Sequence, residues 1–156
     1  MQRLTKKIFP IIFATILLIV GCSAPRSAGD VPSGDVSFVR FMKNTRFNKV
    51  LAESDKKNKP IFMVVSARWC MPCKLMEEEI FTNNVDFASY FNDKFVNYKV
   101  DAEKETGPDL ALMYEINAFP TLLYLDRQGN VLWRKSGYTG FSELERMGEY
   151  ALQNYK

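Results

Sequence analysis

Residues 60–73 read PIFMVVSARWCMPC, and the change of character inside this stretch decides the fold. From Pro60 to Ala67 the chain is apolar and β-branched at Val64 and Val65, which suits a strand buried on both faces better than a helix. From Lys74 the period changes. Leu75, Met76, Glu79 and Ile80 fall at helical intervals over Lys74 to Phe81, and Pro72 is tolerated in a first helical turn, where its missing N–H has no partner to lose. Cys70 is therefore expected at a helix N-terminus, where unpaired N–H groups and the helix dipole favour an anion, and the thiolate is the reactive form of cysteine.

That position makes Cys70 the candidate nucleophile. Cys73 falls one turn further in, close enough to attack a mixed disulfide formed at Cys70, so the spacing suits reversible dithiol–disulfide exchange through a redox-active Cys70–Cys73 pair. Two other uses stay open at this point, a zinc half-site and a purely structural disulfide. Zinc needs four ligands, or three and a water, and the chain has no His and only one further cysteine, Cys22, far from the pair; no metal is expected. A structural bridge between residues three apart closes too small a loop to stabilise much.

Trp69-Cys70-Met71-Pro72-Cys73 followed by Lys74, with Ala118-Phe119-Pro120-Thr121 further along, resembles the thioredoxin superfamily. The acidic helix face and Phe81 are similar to bacterial envelope thioredoxin-like proteins related to the C-terminal domain of the thiol transporter DsbD. The resemblance covers residues 36–154. It implies an α/β thioredoxin fold, a central mixed sheet of four to five strands flanked by helices. It further implies a cis Phe119–Pro120 bond facing the dithiol, with the Phe119 backbone receiving an extended substrate segment and Trp69 shielding the site.

The rest of the chain supplies elements in that order. Val36 to Phe41 alternates like a short strand, and Phe47, Val50 and Leu51 mark a helix ending in the lysine run 56–59. Asn84 to Phe91 is expected to be helical and Phe95 to Val100 a strand ending at Asp101, whose expected role is capping. Gly107 to Tyr114 reads as a helix with Leu110, Met113 and Tyr114 inward. Thr121 to Leu125 and Val131 to Lys135 form a hairpin around a turn with Gly129 and Asn130 at positive φ. Ser142-Glu143-Leu144-Glu145 reads as a capping box opening a last helix with Leu144, Met147 and Ala151 inward.

The first residues carry a different message. Arg3, Lys6 and Lys7 precede an apolar run from Ile8 to Val20, too short to span a bilayer comfortably and suited to a signal-peptide core. Ile19-Val20-Gly21-Cys22 resembles the bacterial lipobox, which implies a signal over residues 1–21 and acylation of Cys22. Residues 22–34, rich in Ser, Pro, Gly and Ala, then form a tether of about 20 Å, and residues 35–156 form the folded domain. The expected location is the bacterial envelope, facing the periplasm, with the outer membrane favoured by Ser23. Removing Arg3, Lys6 and Lys7 from the 21 basic residues leaves 18 against 18 acidic, so charge gives no case for a nucleic-acid partner.

Two departures from the thioredoxin pattern bear on the chemistry. The position of the buried acid, six residues before the first active-site cysteine, is Val64, and that of a family lysine is Asn97. Proton handling must use another group, and Glu77 reads more simply as an exposed helical glutamate. Met71-Pro72 lacks the His of oxidising relatives, which favours a reductase. The expected function is a membrane-anchored oxidoreductase, monomeric, without cofactor, acting on protein disulfides and recharged by a membrane thiol transporter. The alternatives are an oxidising or isomerising enzyme, and a non-catalytic binding or assembly module.

Overall fold

In a computed structural model the chain is described from residue 38 to residue 155. The expected signal, Cys22 and the tether lie outside the described residues. Helix α1 (Phe47–Lys57) leads into β1 (Ile61–Ser66), and α2 (Met71–Met76) follows the cysteine turn and continues as a π-helical segment (Glu77–Thr82). Then come α3 (Val85–Lys94), β2 (Val96–Asp101), α4 (Gly107–Met113), the hairpin β3 (Thr121–Leu125) and β4 (Val131–Ser136), and α5 (Phe141–Asn154). The sheet order is β2-β1-β3-β4, with β1 parallel to β2 and antiparallel to β3. This mixed four-stranded sheet between helices is the thioredoxin fold.

Every residue of β1 and β3 is buried, because both central strands are covered on both faces. Successive side chains in a strand point to opposite faces. Phe62, Val64, Leu122 and Tyr124 therefore join Met76, Phe81, Phe87, Phe91, Leu144 and Met147 on one side of the sheet. Ile61, Met63, Val65, Leu123 and Leu125 join Val50, Leu110 and Tyr114 on the other. The first side is aromatic: the Phe62 ring lies 4.7 Å from Phe91 and 5.1 Å from Tyr124, between centroids. Tyr124 also donates its hydroxyl to the Leu144 carbonyl at 2.7 Å, tying β3 to α5.

Five local expectations are corrected. The strand expected at Val36 to Phe41 reduces, within the described residues, to one parallel bridge between Met42 and Tyr98. Val39 and Arg40 instead donate their N–H groups to Phe81 O and Asn92 Oδ1, each at 2.8 Å, so this segment is held by the helical layer rather than by the sheet. Ser142 does not cap α5. The helix begins at Phe141 behind Gly140, with no side-chain cap, and the Phe141 ring packs on Phe87 at 5.5 Å. Met113 points outward, 64% exposed, because Leu110 and Tyr114 take the inward positions on this two-turn helix. In the hairpin turn Gly129 has φ 87° but Asn130 does not have positive φ; its backbone and side-chain N–H groups bond Asp126 at 2.8 Å. The active-site helix is α-helical only to Met76, and Glu77 is not a free surface residue.

Candidate active site

Strand β1 delivers the chain to a two-residue turn, Arg68-Trp69, after which Cys70 is the N-cap of α2 with extended φ and ψ. Pro72 occupies the first turn, where no N–H is required. Cys70 and Cys73 form a disulfide with Cα atoms 5.3 Å apart. The Cys73 N–H donates to Cys70 Sγ at 3.2 Å, so the sulfur does at the helix start what a capping oxygen does elsewhere.

Residue burial ranks the two cysteines in the opposite order to the one expected of an exposed nucleophile. Cys70 is 2% exposed, whereas Cys73 is half-buried and borders an open cavity of about 450 Å³. The cavity wall includes Ser66, Lys74, Glu77, Lys99 and Asp101. Val64, at the position of the family's buried acid, is apolar and packed in the core. Glu77 stands beside Cys73 on the cavity instead: its carboxylate accepts from Lys99 on β2 and has Lys43 Nζ at 4.0 Å. The sequence hid this because Glu77 lies one helical turn after Cys73, its N–H on the Cys73 carbonyl, and nothing in the helical period shows that β2 sets Lys99 against this face.

On the other flank, Phe119 and Pro120 precede β3 with a cis bond between them. The Phe119 ring meets the Trp69 indole edge to face, centroids 5.7 Å apart. Among the described residues neither the N–H nor the carbonyl of Phe119 has a hydrogen-bond partner. Trp69, Met71 and Leu75 stand exposed around the disulfide, so this end of the molecule presents apolar surface to solvent. Asp101 acts in the turn after β2, accepting the Glu103 N–H at 3.0 Å. Sequence reasoning missed Glu103, whose carboxylate accepts the Trp69 indole N–H at 3.1 Å; it sits in a charged loop with no periodic signal. Among the described residues no cluster of three or more metal-ligating side chains forms.

Comparison with known proteins agrees with this geometry. A family model described as the thioredoxin-like domain matches residues 47–152. Over 141 residues the chain is 30% identical to protein disulfide-isomerase of Ricinus communis, which takes in 89% of this chain and 25% of that protein. It is 25% identical over 119 residues to thiol:disulfide interchange protein DsbD of Vibrio vulnificus, covering 75% of this chain and 20% of the other. The chain thus spans a quarter or less of the length of these two relatives. The solution structure of a candidate disulphide-isomerase from Bacteroides thetaiotaomicron superposes with a TM-score of 0.67 at 29% identity, covering 79% of this chain and 100% of that one.

Proposed function

This chain belongs to the thioredoxin-like domain family, and from that premise we propose that it is an envelope-anchored thiol–disulfide oxidoreductase that reduces protein disulfides. The observation that carries the reading is the placement of Cys70 as the N-cap of α2, its sulfur already accepting a helix N–H. In the reduced protein the same donor and the helix N-terminus stabilise a Cys70 thiolate. That thiolate attacks one sulfur of a substrate disulfide, forms a mixed disulfide, and releases the other substrate sulfur as a thiolate that takes up a proton. Cys73, deprotonated, then attacks Cys70 Sγ, expels the second substrate thiol and closes the Cys70–Cys73 disulfide. The substrate gains two electrons and the dithiol loses two.

Assignment of the first attack to Cys70 rests on thiolate stabilisation and not on exposure, since Cys73 is the less buried residue in the oxidised state. The proton that Cys73 gives up has a path into the cavity it shares with the Glu77–Lys99 pair. The unpartnered Phe119 backbone groups beside Pro120 suit an extended substrate segment laid along the site. No organic cofactor enters the scheme. Cys22, behind the apolar run Ile8 to Val20, would carry the lipid anchor, and the similarity to DsbD supports a location in the bacterial envelope facing the periplasm. There a membrane thiol transporter returns the two electrons.

The direction of flow follows from the reduction potential of the Cys70–Cys73 pair, measured by equilibration against dithiothreitol or glutathione. A value near about −270 mV supports the reductase, and one near about −120 mV makes the protein an oxidant. Cys70→Ser should abolish turnover, while Cys73→Ser should accumulate a mixed disulfide with substrate. A Cys70→Ser protein that kept its full biological effect would instead point to a binding module.

A further inference from the structure

An exposed glutamate ordinarily keeps its carboxylate in water, but both oxygens of Glu103 are occupied. Oε1 accepts the Trp69 indole N–H at 3.1 Å and Oε2 accepts the Arg68 backbone N–H at 3.4 Å. These donors belong to the two residues immediately before Cys70. The carboxylate is itself braced from behind. Ala102 N–H bonds Ser66 O at the end of β1 (2.8 Å), and Glu103 N–H bonds Asp101 Oδ1 (3.0 Å). Gly107 N–H bonds Lys104 O (2.7 Å), and a Cβ at Gly107 would lie 1.9 Å from the Asp101 carbonyl oxygen, so the loop closes at a position open only to glycine.

Indole has a single donor, and Trp69 is 69% exposed, so packing alone does not fix its ring. One edge is held by Glu103, and the other side meets Phe119. We propose that Glu103 is a positioning residue of the exchange reaction: it holds Trp69 against Phe119 and so sets the apolar slot in which the substrate chain lies beside Cys70. The slot suits disulfides whose flanking residues are apolar. This assignment rests on the oxidoreductase reading of the same site.

The test compares Glu103→Ala, Glu103→Gln, Trp69→Phe and the Glu103→Ala/Trp69→Phe pair in the full chain, with a cystine peptide bearing apolar neighbours as substrate. Glu103→Ala should raise KM about fivefold, the size expected for losing the indole hydrogen bond that positions Trp69, with kcat little changed. Trp69 emission, taken as the difference from the Trp69→Phe protein, should shift with it, and the reduction potential should not. Glu103→Gln keeps one carbonyl acceptor for the indole but turns an NH2 toward the Arg68 N–H, so its KM should lie between wild type and Glu103→Ala. In the Trp69→Phe background Glu103→Ala should lose most of its effect on KM, leaving only what the Arg68 N–H contact contributes. An unchanged KM and emission in Glu103→Ala, or a full effect that persists without the indole, overturns the assignment. A wild-type protein with no turnover would instead overturn the oxidoreductase reading, and the role in exchange with it.

Discussion

The interior of the sheet and the rim around the disulfide are built on opposite terms. Inside, β1 and β3 bury every side chain, and aromatic rings such as Phe62, Phe91 and Tyr124 touch one another across the layer. At the rim, Trp69, Met71 and Leu75 remain exposed, and position is held by a few directed contacts: a sulfur at a helix cap, a carboxylate on an indole, a lysine on Glu77. Burial stabilises in proportion to area and is indifferent to direction, whereas hydrogen bonds set geometry while adding little net stability. The interior therefore governs whether the domain folds, and the rim governs whether it reacts.

The sharpest way to separate the two regions is to empty the interior. Phe62→Ala removes a fully buried ring and should cost about 3–5 kcal/mol in denaturant unfolding, while the potential of the Cys70–Cys73 pair stays as in the wild type. A changed potential in a protein that is still folded would show the two regions to be coupled.

A smaller effect is expected at Tyr114, which closes the second core by donating its hydroxyl to Gly129 O at 2.8 Å. Burial, with Asp126 nearby, pushes this phenol up from 10.0 to about 12, so its neutral form is favoured in the folded state. Its contribution is complete below the unfolded value and is lost as pH rises from about 10 to about 12. Tyr114→Phe should lose about 1 kcal/mol at neutral pH and show a shallower loss of stability in that alkaline window. An unchanged slope would sink the assignment.

The smallest change in stability belongs to Glu77→Gln. The Glu77–Lys99 pair is partly exposed, so its removal should shift the unfolding free energy by less than about 1 kcal/mol. If Glu77 serves Cys73 through the shared cavity, the resolution step should nevertheless slow about tenfold, a typical lower range for losing proton transfer. Stopped-flow measurement of mixed-disulfide decay reads this step directly, and an unaltered rate would remove Glu77 from the reaction.

Much of this was legible beforehand, for identifiable reasons. PIFMVVSA declared β1 because a strand covered on both faces must be apolar throughout, and Pro72 after Cys70 declared a helix start because few positions tolerate a missing N–H. The rest depended on partners distant in sequence. Ser142 looked like a cap until Phe141 was drawn onto Phe87, and Glu77 looked like surface until β2 set Lys99 against it. Val36 to Phe41 alternates like a strand, but Val39 and Arg40 spend their N–H groups on the helical layer, and Met42 reaches β2 through its N–H on Asn97 O.

What the amino-acid sequence determined by itself is the order of elements from α1 onward, the two-faced burial of β1 and β3, and the placing of the cysteine turn at a helix start, because each follows from local backbone preference and the period of apolar residues. The tertiary structure alone decided which carboxylates stand beside the site. Glu77 and Glu103 lie in charged stretches with no distinguishing pattern, and only the packing of β2 and its following loop beside the cysteine turn brings one to the cavity of Cys73 and the other to the indole of Trp69.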